Sequence, residues 1–184
     1  MVEIRFHGRG GQGTVIASKI LADAVFKENK YVQAYPQFGV ERRGAPVSAF
    51  IRIDDQPIFI RSEIVNPDHV IVVDPALIDF IDVTDGMKKG GIILINTSHK
   101  PADYAERLKG FRVYTIDATE IAIKYRLGSK AAPIVNTAIL GAVPRIFDFV
   151  RLDSIIESIK EGVPVSPEEN AQAARDAYAA VQGV

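Results

Sequence analysis

The sequence predicts an α/β fold with a mixed, mostly parallel sheet, and three observations support this prediction. A strand-like segment at 2–7 runs through a glycine-rich turn into a helical pattern and then into a second strand. Short apolar runs at 69–74 and 91–96 have the composition of parallel strands that are covered on both faces. Helical or loop stretches separate these runs, which is the order expected of βαβ units.

Length and composition set limits on the function. The 184 residues suit a single domain, 1–184, in which we expect an α/β core at 1–128 and a helical part at 129–184. The net charge of −1 argues against a nucleic-acid partner bound through bulk positive charge. No apolar run approaches the roughly 18 residues of a membrane span, and the N-terminus has no targeting pattern. We therefore expect a soluble, cytoplasmic protein with no membrane partner.

The first elements follow directly from residue spacing. After the strand at 2–7, apolar residues recur at helical intervals over 14–28, and a second strand is predicted at 31–35. A loop rich in proline and glycine covers 36–46. Two strands, 47–53 and 58–60, then flank a short turn, which predicts an antiparallel hairpin.

The second half of the chain returns to alternating elements and then becomes helical. Strands are predicted at 69–74, 91–96 and 112–117, with helical or loop stretches at 76–81 and 102–109 and a helix at 118–127. After residue 128 we expect helices only, at 136–150, 152–161 and 167–181. Pro144 should kink or split the first of these. Ser166 and Glu169 have the spacing of a capping box for the last.

The glycine-rich turn has the spacing of a dinucleotide-binding fingerprint, so the fold class is Rossmann-like. Glycines let the backbone approach a phosphate, and a helix N-terminus offers free N–H groups. The turn thus predicts an anion or phosphate site at Gly8, Arg9, Gly10, Gly11, Gln12 and Gly13. The alternative is that the glycines only allow close packing of the helix on the strand.

The rest of the dinucleotide fingerprint is missing. An acidic residue is expected at the end of the second strand, but that strand ends at Tyr35 and the next acid is Glu41. No Walker lysine follows Gly13. These gaps disfavour NAD, FAD and nucleoside triphosphates as ligands.

The Pro/Gly loop carries a concentrated cluster of charge. Glu41, Arg42 and Arg43 are consecutive, with Phe38 nearby. Arginines suit bidentate contacts with carboxylates or phosphates, and exposed aromatic residues beside arginines are typical of interface anchors.

Together, the glycine turn at 8–13 and the segment at 35–53 resemble the gamma subunit of 2-oxoacid:ferredoxin oxidoreductases of the pyruvate synthase type. The stretches at 66–74, 91–96 and 136–142 also resemble this family, in the same order, so that the resemblance covers nearly the whole chain.

The resemblance implies a subunit of a larger enzyme. Such complexes decarboxylate a 2-oxoacid on thiamine diphosphate with Mg²⁺, pass electrons through [4Fe–4S] clusters to ferredoxin and form acyl-CoA. It implies alpha, beta and delta partner subunits, which would carry these cofactors. The chain itself has no cysteine, so it cannot ligate a cluster through thiolates. It also lacks a thiamine diphosphate motif.

Three interpretations of the basic residues remain open. Arg9, Arg42 and Arg43, with Phe38 and Glu41, could face a partner subunit near the shared active site. They could instead help to hold the phosphates of CoA. The third interpretation is a surface loop whose arginines pair with Glu41 and nearby acids.

No residue of the chain stands out as a catalytic group or a metal ligand. His7, His69 and His99 lack metal-ligand spacing, and we expect them to be structural. The competing functions are a free-standing Rossmann-type oxidoreductase that uses NAD or FAD, and a purely structural scaffold subunit. A homodimer remains open as the state of the isolated chain.

Overall fold

The computed structural model describes residues 1–37 and 44–183. One sheet of seven strands has the order β2-β3-β1-β4-β5-β6-β9. Its strands are β1 Val2–Arg9, β2 Tyr31–Gln37, β3 Pro46–Asp54, β4 His69–Val72, β5 Ile92–Asn96, β6 Arg112–Ile116 and β9 Gln182–Gly183, and a separate pair is formed by β7 Gly128–Ser129 and β8 Ala132–Pro133. The helices are α1 Thr14–Lys27, α2 Ala118–Lys124, α3 Asn136–Leu140, α4 Val143–Ile146, α5 Leu152–Gly162 and α6 Pro167–Ala180, with 3-10 turns at Pro75–Asp79 and Pro101–Tyr104.

The strand directions confirm the predicted fold class. β1, β4, β5 and β6 are parallel neighbours. β3 runs antiparallel between β1 and β2, so β2 points the same way as β1. The sheet is therefore mixed, with five strands in one direction.

The two faces of the sheet are covered differently. The main core lies on one face, where Phe6, Ile51 and Leu94 pack in the same cluster as residues of the α-helices, such as Leu21 and Ile155. On the other face, a smaller core covers β4 to β6 with residues from 3-10 turns and loops, including Ile78, Val83 and Leu108. Strand β4 is buried on both faces, as its apolar sequence predicted.

The predicted hairpin paired the strand at 47–53 with the wrong segment. Residues 58–60 form no strand, and β3 pairs with β2 and β1 instead. The carbonyl of Ile58 accepts a hydrogen bond from the Gln33 side chain at 3.0 Å, while Phe59 is 84% exposed. This segment therefore contacts the sheet through side chains and not through a backbone ladder.

The C-terminal third also differs from the prediction of helices only. β7 and β8 form a short hairpin, and β9 pairs with β6 through Tyr114↔Gly183 and Thr115↔Gln182. These strands are two residues long, too short to produce the alternation that identifies a strand in a sequence.

Two details of the helices concern their ends. The predicted split at Pro144 is confirmed, because α3 ends at Leu140 and α4 begins at Val143. The predicted capping box is wrong, because Ser166 has a φ of 51° and its side chain makes no cap hydrogen bond. The Asn170 amide donates to the Ser166 carbonyl at 2.8 Å instead.

Within the described ranges, no helix is long and apolar enough to cross a membrane.

Charged residues are buried on the less covered face of β1 and β3. The Arg52 side chain donates to Glu3 at 2.9 Å and to the Ser62 carbonyl at 2.7 Å. The Arg5 side chain donates to the carbonyls of Val83 and Asp85. Close by, His7 is only 6% exposed. Its burial, aided by the Arg5 charge, lowers the pKa of His7 to about 4.

This buried histidine should make the fold sensitive to acid. In the unfolded chain His7 takes up a proton near pH 6.5, whereas the folded protein resists protonation until about pH 4. The unfolded state binds more protons between these values, so the free energy of unfolding should fall as the pH drops from 7 to 4. The contribution of His7 is up to about 3 kcal/mol.

We expect His7→Gln to flatten the pH dependence of stability, measured by urea unfolding between pH 4.5 and 7.5. His99→Gln is the control, because the His99 side chain is 70% exposed. An H7Q variant with the same slope as the unmodified chain would contradict the prediction.

Candidate functional site

The candidate site lies where the strand order reverses direction. The chain leaves β1 through α1 and returns to the sheet on one side as β2, whereas β4 lies on the other side of β1. The carboxyl ends of β1 and β4 meet at this point, which is where open α/β sheets form their ligand crevice. The glycine turn follows β1 here, and Asp74 follows β4.

Backbone hydrogen bonds fix the path of the turn. Gln12 N donates to the Arg9 carbonyl at 3.1 Å. Gly10 N donates to the Ala45 carbonyl at 2.9 Å, and Gly44 N donates to the Gly10 carbonyl at 3.1 Å. The turn is thus tied to the residues that lead into β3.

Two glycines of the motif have a packing role. A Cβ on Gly8 would lie 2.0 Å from Thr14 Oγ1, so only glycine lets the start of α1 approach β1 this closely. Gly13 has a φ of 76°, and a Cβ there would lie 2.4 Å from Asn136 Nδ2. The close-packing interpretation of the glycines therefore has direct support.

In the same geometry, the N-terminus of α1 is uncapped. No side chain within the described residues caps its first turn. The first N–H groups of a helix need a partner and carry partial positive charge. Close packing and anion binding are therefore compatible in this turn, because the glycines bring the free N–H groups to the sheet edge.

Arg9 forms an ion pair with Asp74. Its Nε donates to Asp74 Oδ2 at 2.9 Å, and its Nη1 donates to the Gly44 carbonyl at 3.2 Å. Gln12 Nε2 donates to the same Asp74 oxygen at 2.8 Å. The Arg9 guanidinium lies 5.8 Å from the ring centroid of Phe80, a side chain that is 75% exposed. Sequence reasoning did not connect Asp74 or Phe80 with the glycine turn.

The predicted basic loop cannot be compared with the structure. Phe38, Glu41, Arg42 and Arg43 lie outside the described residues. Gly44, the next described residue, donates its N–H to the Gly10 carbonyl at 3.1 Å.

Further along the same sheet edge, polar side chains surround a cavity of about 600 Å³. Asn96 donates to the Val73 carbonyl at 3.0 Å and to Thr119 at 3.1 Å. Asp117 accepts from Glu120 N at 2.8 Å and so caps α2. These residues have structural hydrogen bonds, and none of them reaches the glycine turn.

The histidines make no metal site. Among residues 1–37 and 44–183, no three His, Cys, Asp or Glu side chains come together as candidate ligands. His69 Nδ1 accepts a hydrogen bond from Ile92 N at 3.2 Å, and its ring lies 4.8 Å from that of Phe147. Burial lowers the pKa of His69. The described contacts of His69 are therefore structural.

Comparison with known proteins finds similarity along almost the whole chain. The family model for pyruvate ferredoxin/flavodoxin oxidoreductase matches residues 3–180. The common gamma subunit of the pyruvate/ketoisovalerate oxidoreductases of Thermococcus kodakarensis is 54% identical over 181 residues, 97% of this chain and 96% of that protein. Pyruvate synthase subunit PorC of Methanothermobacter marburgensis is 50% identical over 179 residues, 97% of this chain and 96% of that protein.

A solved structure agrees with these matches. The crystal structure of pyruvate oxidoreductase subunit PORC of Thermotoga maritima aligns with a TM-score of 0.83 and 34% identity. The alignment covers 99% of this chain and 97% of that one.

The close approach of β1 and α1 predicts a specific double-mutant result. Gly8→Ala should destabilise the protein by about 1–3 kcal/mol, because the added methyl group collides with Thr14 Oγ1. Thr14→Ala should recover much of this loss in the double variant, since it removes the colliding oxygen. Urea unfolding of the four proteins measures the coupling.

Gly162→Ala is the matched control, since an added Cβ there would come no closer than 3.4 Å to its neighbours. The packing account of Gly8 fails if G8A is as stable as G162A, or if T14A gives no recovery.

Proposed function

The chain belongs to the pyruvate ferredoxin/flavodoxin oxidoreductase family, and from this premise we propose that it works as the gamma subunit of a 2-oxoacid:ferredoxin oxidoreductase. The observation that carries the proposal is a match that spans residues 3–180 and extends over 96% of the length of gamma and PorC relatives. The resemblance drawn from the sequence motifs is confirmed at family level. The alternative of a free-standing NAD or FAD enzyme receives no support.

The substrate class is a 2-oxoacid, with pyruvate as the first candidate. Relatives at 50–54% identity are named for pyruvate synthase or for pyruvate and ketoisovalerate oxidoreductases. The Thermococcus relative is named as a subunit common to two oxidoreductases. A subunit that two enzymes share cannot distinguish their substrates, so we expect substrate choice to depend on other chains.

Cofactor chemistry would then belong to the partner subunits. The chain contains no cysteine, and its described residues offer no cluster of metal ligands. Thiamine diphosphate, Mg²⁺ and [4Fe–4S] clusters would be held by alpha, beta and delta subunits, and ferredoxin would accept the electrons. This chain would contribute to assembly and to binding of CoA.

The glycine turn is the part of this chain best suited to the CoA phosphates. It presents the uncapped N-terminus of α1 beside the carboxyl ends of β1 and β4, which is where open α/β sheets bind ligands. Arg9 stands beside it, partly exposed. The loop residues Phe38, Glu41, Arg42 and Arg43 would contribute contacts with a partner subunit or with CoA.

Replacing the two loop arginines separates these roles. In a co-expressed complex, we expect Arg42→Ala/Arg43→Ala to impair assembly if the loop contacts a partner, and to raise the KM for CoA in an intact complex if it holds phosphate. Gel filtration reports assembly, and 2-oxoacid-dependent ferredoxin reduction reports the KM. Arg175→Ala, exposed on α6, is the control for loss of a surface arginine. No change in either measurement would contradict both roles.

The isolated chain provides a second test. We expect no stabilisation by NADH or FAD, because the second strand carries no acidic residue for a ribose at its end. A ligand at about 100 times its Kd would stabilise the folded state by roughly 2.7 kcal/mol, which thermal unfolding detects. Clear stabilisation by NADH would contradict the proposed function and favour a free-standing dehydrogenase.

A further inference from the structure

We propose that Asp74 is a positioning residue for the glycine turn, so that CoA binding depends on a carboxylate whose own charge opposes phosphate. This inference rests on the proposed role of the turn as the CoA phosphate site. Asp74 lies outside the glycine motif, on a different βα unit, and the sequence motif does not include it.

The sheet brings Asp74 to the turn. Val73 N donates to the His7 carbonyl at 2.7 Å, which fixes the end of β4 against the end of β1. In the register His7↔Val72, Arg9 and Asp74 each lie two residues further along the chain. The Asp74 side chain, which is 13% exposed, meets Arg9 directly. The contact therefore follows from the parallel pairing.

The hydrogen bonds of Asp74 form a closed arrangement. Oδ2 accepts from Arg9 Nε at 2.9 Å and from Gln12 Nε2 at 2.8 Å, and Oδ1 accepts from Ala76 N at 3.0 Å. The amide oxygen of Gln12 in turn accepts from Arg9 N at 2.7 Å. Both oxygens of the carboxylate and both ends of the Gln12 amide are thus in use. This pattern holds the side chains of Arg9 and Gln12 in one orientation.

The arrangement also decides which part of Arg9 can meet a ligand. Nε is bound to Asp74, and Nη1 contacts the Gly44 carbonyl at 3.2 Å. Within the described residues, Nη2 makes no hydrogen bond, and the Arg9 side chain is 28% exposed. A guanidinium held by its Nε edge presents the remaining nitrogen at a fixed angle, which suits a phosphate oxygen.

Two accounts of Asp74 make opposite predictions. If its carboxylate acts only as a nearby negative charge, its removal should strengthen binding of an anion. If it positions the turn, its removal should weaken binding, because Arg9 and Gln12 lose their shared acceptor. Asparagine is the decisive replacement, since a single amide oxygen cannot accept all three hydrogen bonds.

The test uses the assembled complex and steady-state kinetics with CoA as the varied substrate. We expect Asp74→Asn to raise the KM for CoA on the order of 10-fold, with a smaller change in kcat. Gln12→Ala should shift the KM in the same direction, and it serves as the second variant if D74N does not assemble. Asp79→Asn is the matched control, because Asp79 is an exposed carboxylate of the same sheet edge that pairs with Arg107.

A reversed pair tests positioning directly. In Asp74→Asn/Gln12→Glu the amide and the carboxylate exchange places, so the link between the two side chains is restored without a change in net charge. The asparagine at position 74 still offers a single oxygen to Arg9 Nε and Ala76 N, so we expect the KM for CoA to return only part of the way to that of the unmodified complex. A purely structural loss of stability would instead appear in the urea midpoint of the isolated chain, and the KM would not follow the exchange.

The outcomes separate this inference from the proposed function. If Arg9→Gln raises the KM for CoA but D74N lowers it or leaves it unchanged, the turn remains the CoA site and the role of Asp74 is overturned. If R9Q, Q12A and D74N all leave the KM unchanged, the turn is not the CoA site. The role of Asp74 and the CoA role of the turn then both fail, while the family assignment stands. A rise in D74N that the reversed pair restores supports the inference.

Discussion

The parallel pairing of β1 with β4 is the constraint on which the candidate site depends. It aligns Phe6 with Ile71 and His7 with Val72, and it brings the carboxyl ends of both strands to one point. A shift by one residue would turn every side chain to the opposite face of the sheet. Asp74 would then no longer meet Arg9, and the turn would lose the acceptor that orders it.

The glycine turn both allows close packing of α1 and positions the uncapped N-terminus of that helix. Gly8 and Gly13 allow α1 to approach β1 and α3 so closely that no side chain would fit. This close approach also brings the uncapped end of α1 to the crevice. The positive charge beside it is balanced by Asp74, so an anion would be recognised by directed N–H groups more than by net charge.

The composition of the chain is consistent with the proposed division of labour between subunits. It has no cysteine for clusters, and it belongs to a family of oxidoreductases that work with ferredoxin or flavodoxin. The fold places its helices on one face of the sheet and covers part of the other face with short turns. Such a subunit would contribute a surface for assembly and the glycine turn for CoA, while the redox chemistry would belong to partner subunits.

The sequence by itself determined the strand–turn–helix unit and the buried strands β4 to β6, because periodicity and glycine spacing are local properties. The resemblance of its motifs to a known family indicated the family. It also determined the split at Pro144, since proline acts on its own helix. Only the tertiary structure decided that Asp74 meets Arg9, that 58–60 is not a strand and that β9 caps the sheet. Each of these depends on contacts between residues that are distant along the chain, and a local sequence pattern does not predict such contacts.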